Sequence, residues 1–191
     1  MIPFFVVLLA CCFGSLVAQH FIPPLPFLEG ARVYLMPLVF FYGALSLPFS
    51  LTLLLAFCCG LMWDATTTLV YPVKGVPTAE LMIGFSVILF AVLGAVMSGF
   101  RPLFQRGRWE VHCLMSGVCT SAMLLTEFIA ISVRRAAVDG AGFVWAPEIG
   151  WRIGGAGLVA IVAAPVVFFG LTFLARLVGY DPRQMEREEE E

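Results

Sequence analysis

Between Val33 and Trp63 the chain carries no charged residue. Drawn as one straight helix at 1.5 Å per residue, this stretch would be about 46 Å long, against a hydrocarbon core of about 30 Å. Leu47-Pro48 lies near its middle. A proline removes a backbone donor and pushes the preceding residue out of helical geometry. The stretch therefore predicts two short helices, Val33 to Leu47 and Phe49 to Trp63, joined by a tight turn. Short helices of this kind are accommodated by bilayer thinning or by burial within a bundle. The competing reading is one kinked, steeply tilted helix, which lowers the total from six spans to five.

Composition leaves no room for a water-facing surface. The chain is 61% hydrophobic and 13% charged, where a soluble domain carries about 25% charged residues. The expected fold class is an all-α polytopic membrane protein, a bundle of six, or alternatively five, transmembrane helices in one domain, 1–179. Residues 180–191 form an acidic tail. Six acids (Asp181, Glu186 and Glu188 to Glu191) stand there against Arg183 and Arg187, so the tail carries -4 of the net -2 and the remainder is +2. A block of like charge is expected to be solvated and disordered.

The other spans follow from apolar runs of roughly 20 residues. Ile2 to Gln19 reads as an uncleaved first helix: it lacks the basic start of a signal peptide, and for the same reason Leu8-Leu9-Ala10-Cys11 is a weak lipobox. Pro23, Pro24 and Pro26 make His20 to Arg32 an interfacial loop. Ala65 to Pro77 reads as a central polar loop. Thr78 to Phe100 reads as a helix with Thr78 as N-cap and Glu80 in its first turn, where the dipole favours an acid. It ends at Arg101-Pro102. Val111 to Val133 reads as the fifth span, Arg134 to Arg152 as a long connector, and Ile153 to Val178 as the last span. Gly94 with Ser98, and Gly117 with Ser121, give small-xxx-small faces suited to close packing. With the N-terminus inside, the inner side holds Arg101, Arg106, Arg108, Arg176, Arg183 and Arg187, and the outer side Arg32, Lys74, Arg134, Arg135 and Arg152. The arginine cluster from Arg101 to Arg108 favours that orientation.

Catalytic signatures are missing from the sequence. There is no G-x-S-x-G, H-E-x-x-H or phosphate-binding glycine loop, and no basic-aromatic surface for nucleic acid. His20 and His112 stand far apart at segment ends. The six cysteines (Cys11, Cys12, Cys58, Cys59, Cys113 and Cys119) form no C-x-x-C pair and read as small hydrophobes. No metal or cofactor is expected. A coupled transporter needs several intramembrane acids or broken helices in repeated halves, and only Asp64 and Glu127 are available. Glu127 is a candidate intramembrane polar site. Arg134, seven residues on, falls on the same helix face and is its candidate partner.

Asp64 breaks a local rule, because an acid at a helix C-terminus meets the negative end of the dipole. Rule-breaking residues mark places to look for function. Here Gly60-Leu61-Met62-Trp63-Asp64, followed by Pro72-Val73-Lys74-Gly75 and an apolar helix, resembles the G-L-x-x-D … P-x-G signature of the rod-shape-determining MreD family. The specific part covers roughly Phe57 to Ala79. The Val73-Lys74 pair, the somewhat long turn and the connector after Arg134 depart from the family pattern. The resemblance implies a non-enzymatic, multi-pass subunit of the cell-elongation machinery in the bacterial cytoplasmic membrane. Its implied partners are an MreC-like protein and, through it, MreB-like, RodA-like and penicillin-binding transpeptidase proteins. It also implies a fold similar to the S-subunits of energy-coupling-factor transporters. The alternative function is accordingly a vitamin-type small-molecule-binding subunit. In the first reading Gly60 permits close helix approach, Asp64 anchors the loop through amides or Lys74, and Pro72 and Gly75 fix the bend.

Overall fold

The computed structural model describes residues 2–67, 70–73, 76–79, 83–102, 109–139 and 147–180. Among these, six α-helices have defined bounds: α1 (Ile2–Phe21), α2 (Leu35–Ser46), α3 (Phe49–Thr67), α4 (Phe85–Gly99), α5 (Trp109–Asp139) and α6 (Pro147–Leu177). A 3-10 turn at Pro26–Leu28 lies between α1 and α2. Strands β1 (Val70–Val73) and β2 (Val76–Ala79) form an antiparallel hairpin between α3 and α4, with Pro72 opposite Pro77. Four helices (α1, α3, α5 and α6) are long and apolar enough to cross a membrane, and α2 and α4 are shorter apolar helices. The protein is a helical, multi-pass membrane protein.

The outward faces of the long helices carry the pattern of a lipid-facing surface. Val6, Phe13 and Val17 of α1 are exposed, as are Phe57 and Leu61 of α3, Leu114, Val118, Leu125 and Ile129 of α5, and Val162, Val166, Phe169 and Phe173 of α6. These recur at three-, four- and seven-residue spacings, which keeps them on one stripe of each helix. An exposed apolar surface this continuous needs a bilayer to cover it.

Helix α2 is the opposite case. Every residue from Met36 to Ser46 is buried, and the helix touches α1, α3, α4, α5 and α6. Twelve residues are too few to span hydrocarbon. Enclosure by the other helices, not lipid, accommodates the shortness. The split at Leu47-Pro48 falls where the sequence places it, with Leu47 in extended backbone (φ -101°, ψ 153°).

A buried helix end must have its free carbonyls satisfied. At the C-terminus of α2, Ser98 Oγ donates to Ala44 O at 3.1 Å. Arg101 donates to Ala44 O at 3.3 Å and also to Leu47 O. Tyr180 Oη donates to Ser46 O at 2.5 Å, and its ring stacks on Phe4 with centroids 4.2 Å apart. Arg101 thus places its cation at the negative pole of α2.

The small-residue faces are where backbones meet. A Cβ on Gly117 would lie 2.7 Å from Gly157 O, and one on Gly157 would collide with Ser121 Oγ. Ser121 Oγ itself donates to Ile153 O at 3.3 Å. Gly94 lies against Phe40 and Thr52.

Three expected boundaries differ from those observed. The fourth helix begins at Phe85, not at Thr78, which lies in β2. Thr78 has the side chain of an N-cap, but this helix is capped from a distance, by Asp64. Helix α3 runs to Thr67, three residues beyond Asp64. The threonines extend it by back-bonding: Thr66 Oγ1 donates to Trp63 O at 3.0 Å and Thr67 Oγ1 to the same carbonyl at 2.8 Å. The expected connector from Arg134 to Arg152 is largely helical, since α5 continues to Asp139 and α6 starts at Pro147. Arginine and alanine are good helix formers, so charge at Arg134-Arg135-Ala136-Ala137 marks where the helix leaves the apolar layer and not where it ends. Gly75, Lys74, Glu80 and the acidic tail lie outside the described residues.

Candidate functional site

Gly60 and Asp64 are one helical turn apart on α3, so they share a face. That face meets the beginning of α4. Asp64 is 2% exposed. Its Oδ2 accepts the Gly84 amide at 2.5 Å and its Oδ1 accepts the Ser86 amide at 3.3 Å. Gly84 is the N-cap residue of α4, with φ +100°, and has no side chain with which to cap. Asp64 supplies the missing cap from another helix. The apparent violation at Asp64 is thereby resolved: the carboxylate sits at the positive end of the α4 dipole, where an acid is favoured.

Gly60 explains how the two helices come close enough. A Cβ there would collide with Val87 Cα and would lie 2.5 Å from Val87 N and 2.9 Å from the Ser86 carbonyl carbon. These are backbone atoms and cannot swing aside. The glycine and the acid therefore act on the same turn of α4, one by approach and one by capping.

Trp63, next to the acid and about 100° around the helix from it, is buried in the bundle and 1% exposed. Its indole N–H donates to Glu127 Oε1 of α5 at 2.6 Å. Its ring meets Tyr34 at 5.6 Å and Phe90 of α4 at 6.2 Å between centroids. One residue thus ties α3 to α5, to the start of α2 and to α4. A buried tryptophan needs an acceptor for its N–H, and a carboxylate inside a membrane segment needs a donor. Each supplies what the other lacks. Arg134 stands two turns along α5 from Glu127.

Beside Glu127 opens a pocket of about 320 Å³, whose polar lining comes from Arg32, Tyr34, Glu127 and Arg152. Arg152 is held in place by its Nε–H, which donates to Glu29 O at 2.8 Å. Burial and the Glu127 charge push the Tyr34 hydroxyl's pKa up, with Arg32 opposing. Tyr34 therefore feels both Glu127 and Arg32 electrostatically.

No protein-family model, curated protein or solved structure matches the chain. Its chemistry has to be read from the arrangement itself.

Of the residues singled out in the sequence, the structure brings Gly60 and Asp64 together at the α3–α4 junction. Pro72 lies in β1, directly within the hairpin that this junction closes. Glu127 belongs to the adjoining pocket. Sequence reasoning did not pick out Trp63, Tyr34, Arg32 and Arg152 as site residues. A signal was present for Trp63: an indole donor deep in a charge-free stretch calls for an acceptor, and Glu127 is one of very few. Nothing in the sequence brings the two arginines together.

Proposed function

We propose that this protein is a non-enzymatic membrane subunit of the bacterial cell-elongation complex, resident in the cytoplasmic membrane and working by partner binding. The observation that supports the reading most is the convergence of Gly60 and Asp64 on the first turn of α4. In the MreD-like signature these two positions are the apolar-helix glycine and the acid. Here their chemistry fixes the start of α4, the helix that follows the hairpin. A hairpin next to a helix start fixed in this way is a surface that a partner can read. The implied partner is an MreC-like protein, and through it MreB-like, RodA-like and penicillin-binding transpeptidase proteins.

The test is Asp64→Asn in the native host, with membrane levels of the variant checked by immunoblot. Under the proposal, cells producing normal amounts of the variant lose their rod shape and recovery of the MreC-like protein falls. Rod-shaped cells with undiminished partner recovery would sink the reading.

A second reading, a small-molecule-binding subunit of S-subunit type, is favoured by the polar pocket beside Glu127. Its volume of about 320 Å³ stands at the small end of the roughly 300–1,000 Å³ typical of ligand sites. A co-purifying vitamin, or a vitamin-induced thermal shift in the purified protein, would favour this reading over the first.

A further inference from the structure

The pocket beside Glu127 has a chemistry that the partner-binding reading does not use. Arg32 and Arg152 line it, and both are exposed. Glu127 is only partly exposed, and its Oε1 is engaged by Trp63. Two guanidiniums at an opening match the planar, bidentate geometry of phosphate oxygens. A carboxylate further in can accept from a second, cationic group. The formal charge of these three side chains is +1, so a lone anion would satisfy the arginines and leave Glu127 with the Trp63 indole as its one neutral donor and no cation. A ligand carrying a phosphate and an ammonium satisfies both.

The position of the pocket matches a lipid headgroup. It lies at the end of the bundle where α5 and α6 leave the apolar layer. Trp151, beside Arg152, is 64% exposed, and Phe27, in the loop that carries Arg32, is 76% exposed. An exposed tryptophan of this kind sits at the headgroup level of a bilayer. The volume admits a headgroup and excludes acyl chains, which the apolar outer faces of α5 and α6 are suited to cover.

We infer that this pocket binds an aminophosphate headgroup, with the phosphate between Arg32 and Arg152 and the ammonium on Glu127. The same chemistry occurs in phosphatidylethanolamine and in free phosphoethanolamine. The inference is independent of the cell-elongation reading.

The test uses the full chain in nanodiscs and native mass spectrometry. Phosphatidylethanolamine, phosphatidylglycerol and phosphatidylcholine are offered in equal amounts. The expected result is retention of phosphatidylethanolamine about tenfold above phosphatidylcholine, whose quaternary ammonium has no N–H to donate, the ratio corresponding to one charge-assisted hydrogen bond. Arg32→Ala, at an exposed side chain, is expected to lower retention of both phosphatidylethanolamine and phosphatidylglycerol. Glu127→Gln keeps an oxygen acceptor for the Trp63 indole and is expected to abolish the preference for phosphatidylethanolamine while leaving phosphatidylglycerol unchanged. Displacement of bound lipid by millimolar phosphoethanolamine assigns the site to the soluble compound, and its failure to displace assigns it to the bilayer. Equal retention of the three lipids with no binding of phosphoethanolamine, or an Arg32→Ala profile identical to wild type, overturns the inference.

Discussion

Replacing Asp64 by asparagine keeps the size of the side chain and removes its charge. In the structure the carboxylate holds two α4 amides, those of Gly84 and Ser86, from a site only 2% exposed. Asparagine has one oxygen, so it can keep one of these bonds and must turn an N–H₂ toward the other amide. The loss is one charge-assisted hydrogen bond, about 1.5–3 kcal/mol, together with the charge–dipole attraction at a helix N-terminus, about 0.3–1 kcal/mol and up to about 2 in partly buried geometry. A cost of about 3 kcal/mol follows from these two contributions. For a chain of this length each kcal/mol moves the midpoint by about 2–4 °C, so Asp64→Asn should lower Tm by about 6–12 °C. Asp64→Ala, which leaves both amides without their acceptor, should cost more. The assay is thermal unfolding of the detergent-solubilised protein, followed by circular dichroism. Amide hydrogen exchange at Gly84 and Ser86 gives the local readout, and exchange there should accelerate in both variants. If both melt within a degree of wild type and the two amides stay protected, the cap is not what holds the start of α4, and the reasoning about Asp64 fails.

Gly60→Ala should destabilise by about 1–3 kcal/mol, as overpacking against fixed atoms does, and a double-mutant cycle with Asp64→Asn should be non-additive because both act on one turn. Trp63→Phe removes the donor to Glu127 and should cost about 1.5–3 kcal/mol, read by denaturation in detergent. Glu127→Gln should cost less than Trp63→Phe, since the amide oxygen still accepts. At the opposite end of the bundle, Tyr180→Phe leaves Ser46 O without its phenol and should cost about 1 kcal/mol. Burial raises the pKa of the Tyr180 phenol to about 12, with Arg101 pulling it down and Tyr42 adding to the rise. The folded state therefore favours the neutral phenol. Its contribution is complete below the unfolded value of about 10 and is lost as pH rises from there through about 12. A pH series of melting curves should show that decline in wild type and a flatter profile in Tyr180→Phe.

The helices were largely legible because their signals are local. Leu47-Pro48 divides the charge-free stretch by removing a donor and constraining the preceding residue, and both effects act within a residue or two. Gly117 and Ser121 announced a close contact because small residues at one-turn spacing leave a groove whatever fills it. Thr78 misled for the same local reason: it has the chemistry of a cap, but the cap of α4 comes from Asp64, 20 residues earlier and on another helix. Arg134 and Arg135 mislead because charge marks only the end of the apolar layer and not the end of the helix, which continues to Asp139. The pairing of Trp63 with Glu127 spans 64 residues. Each partner was conspicuous alone, and only the fold joins them.

The contacts at the end of α2 share one cause, its enclosure. A helix surrounded by protein over its whole length cannot leave its terminal carbonyls to water, so Ser98, Arg101 and Tyr180 come to it from two other parts of the chain. Its neighbours are thereby fixed at one end of the bundle. At the other end Trp63 meets Tyr34, which precedes α2, while its indole reaches α5. The helix that bears Trp63 then presents Gly60 and Asp64 to α4 on a different face. The Asp64 cap and the backbone contact at Gly60 together fix the start of α4 against α3. Because Trp63 adjoins Asp64 in the chain, the α4 cap and the indole bond to Glu127, which lines the polar pocket, arise from consecutive residues of one helix.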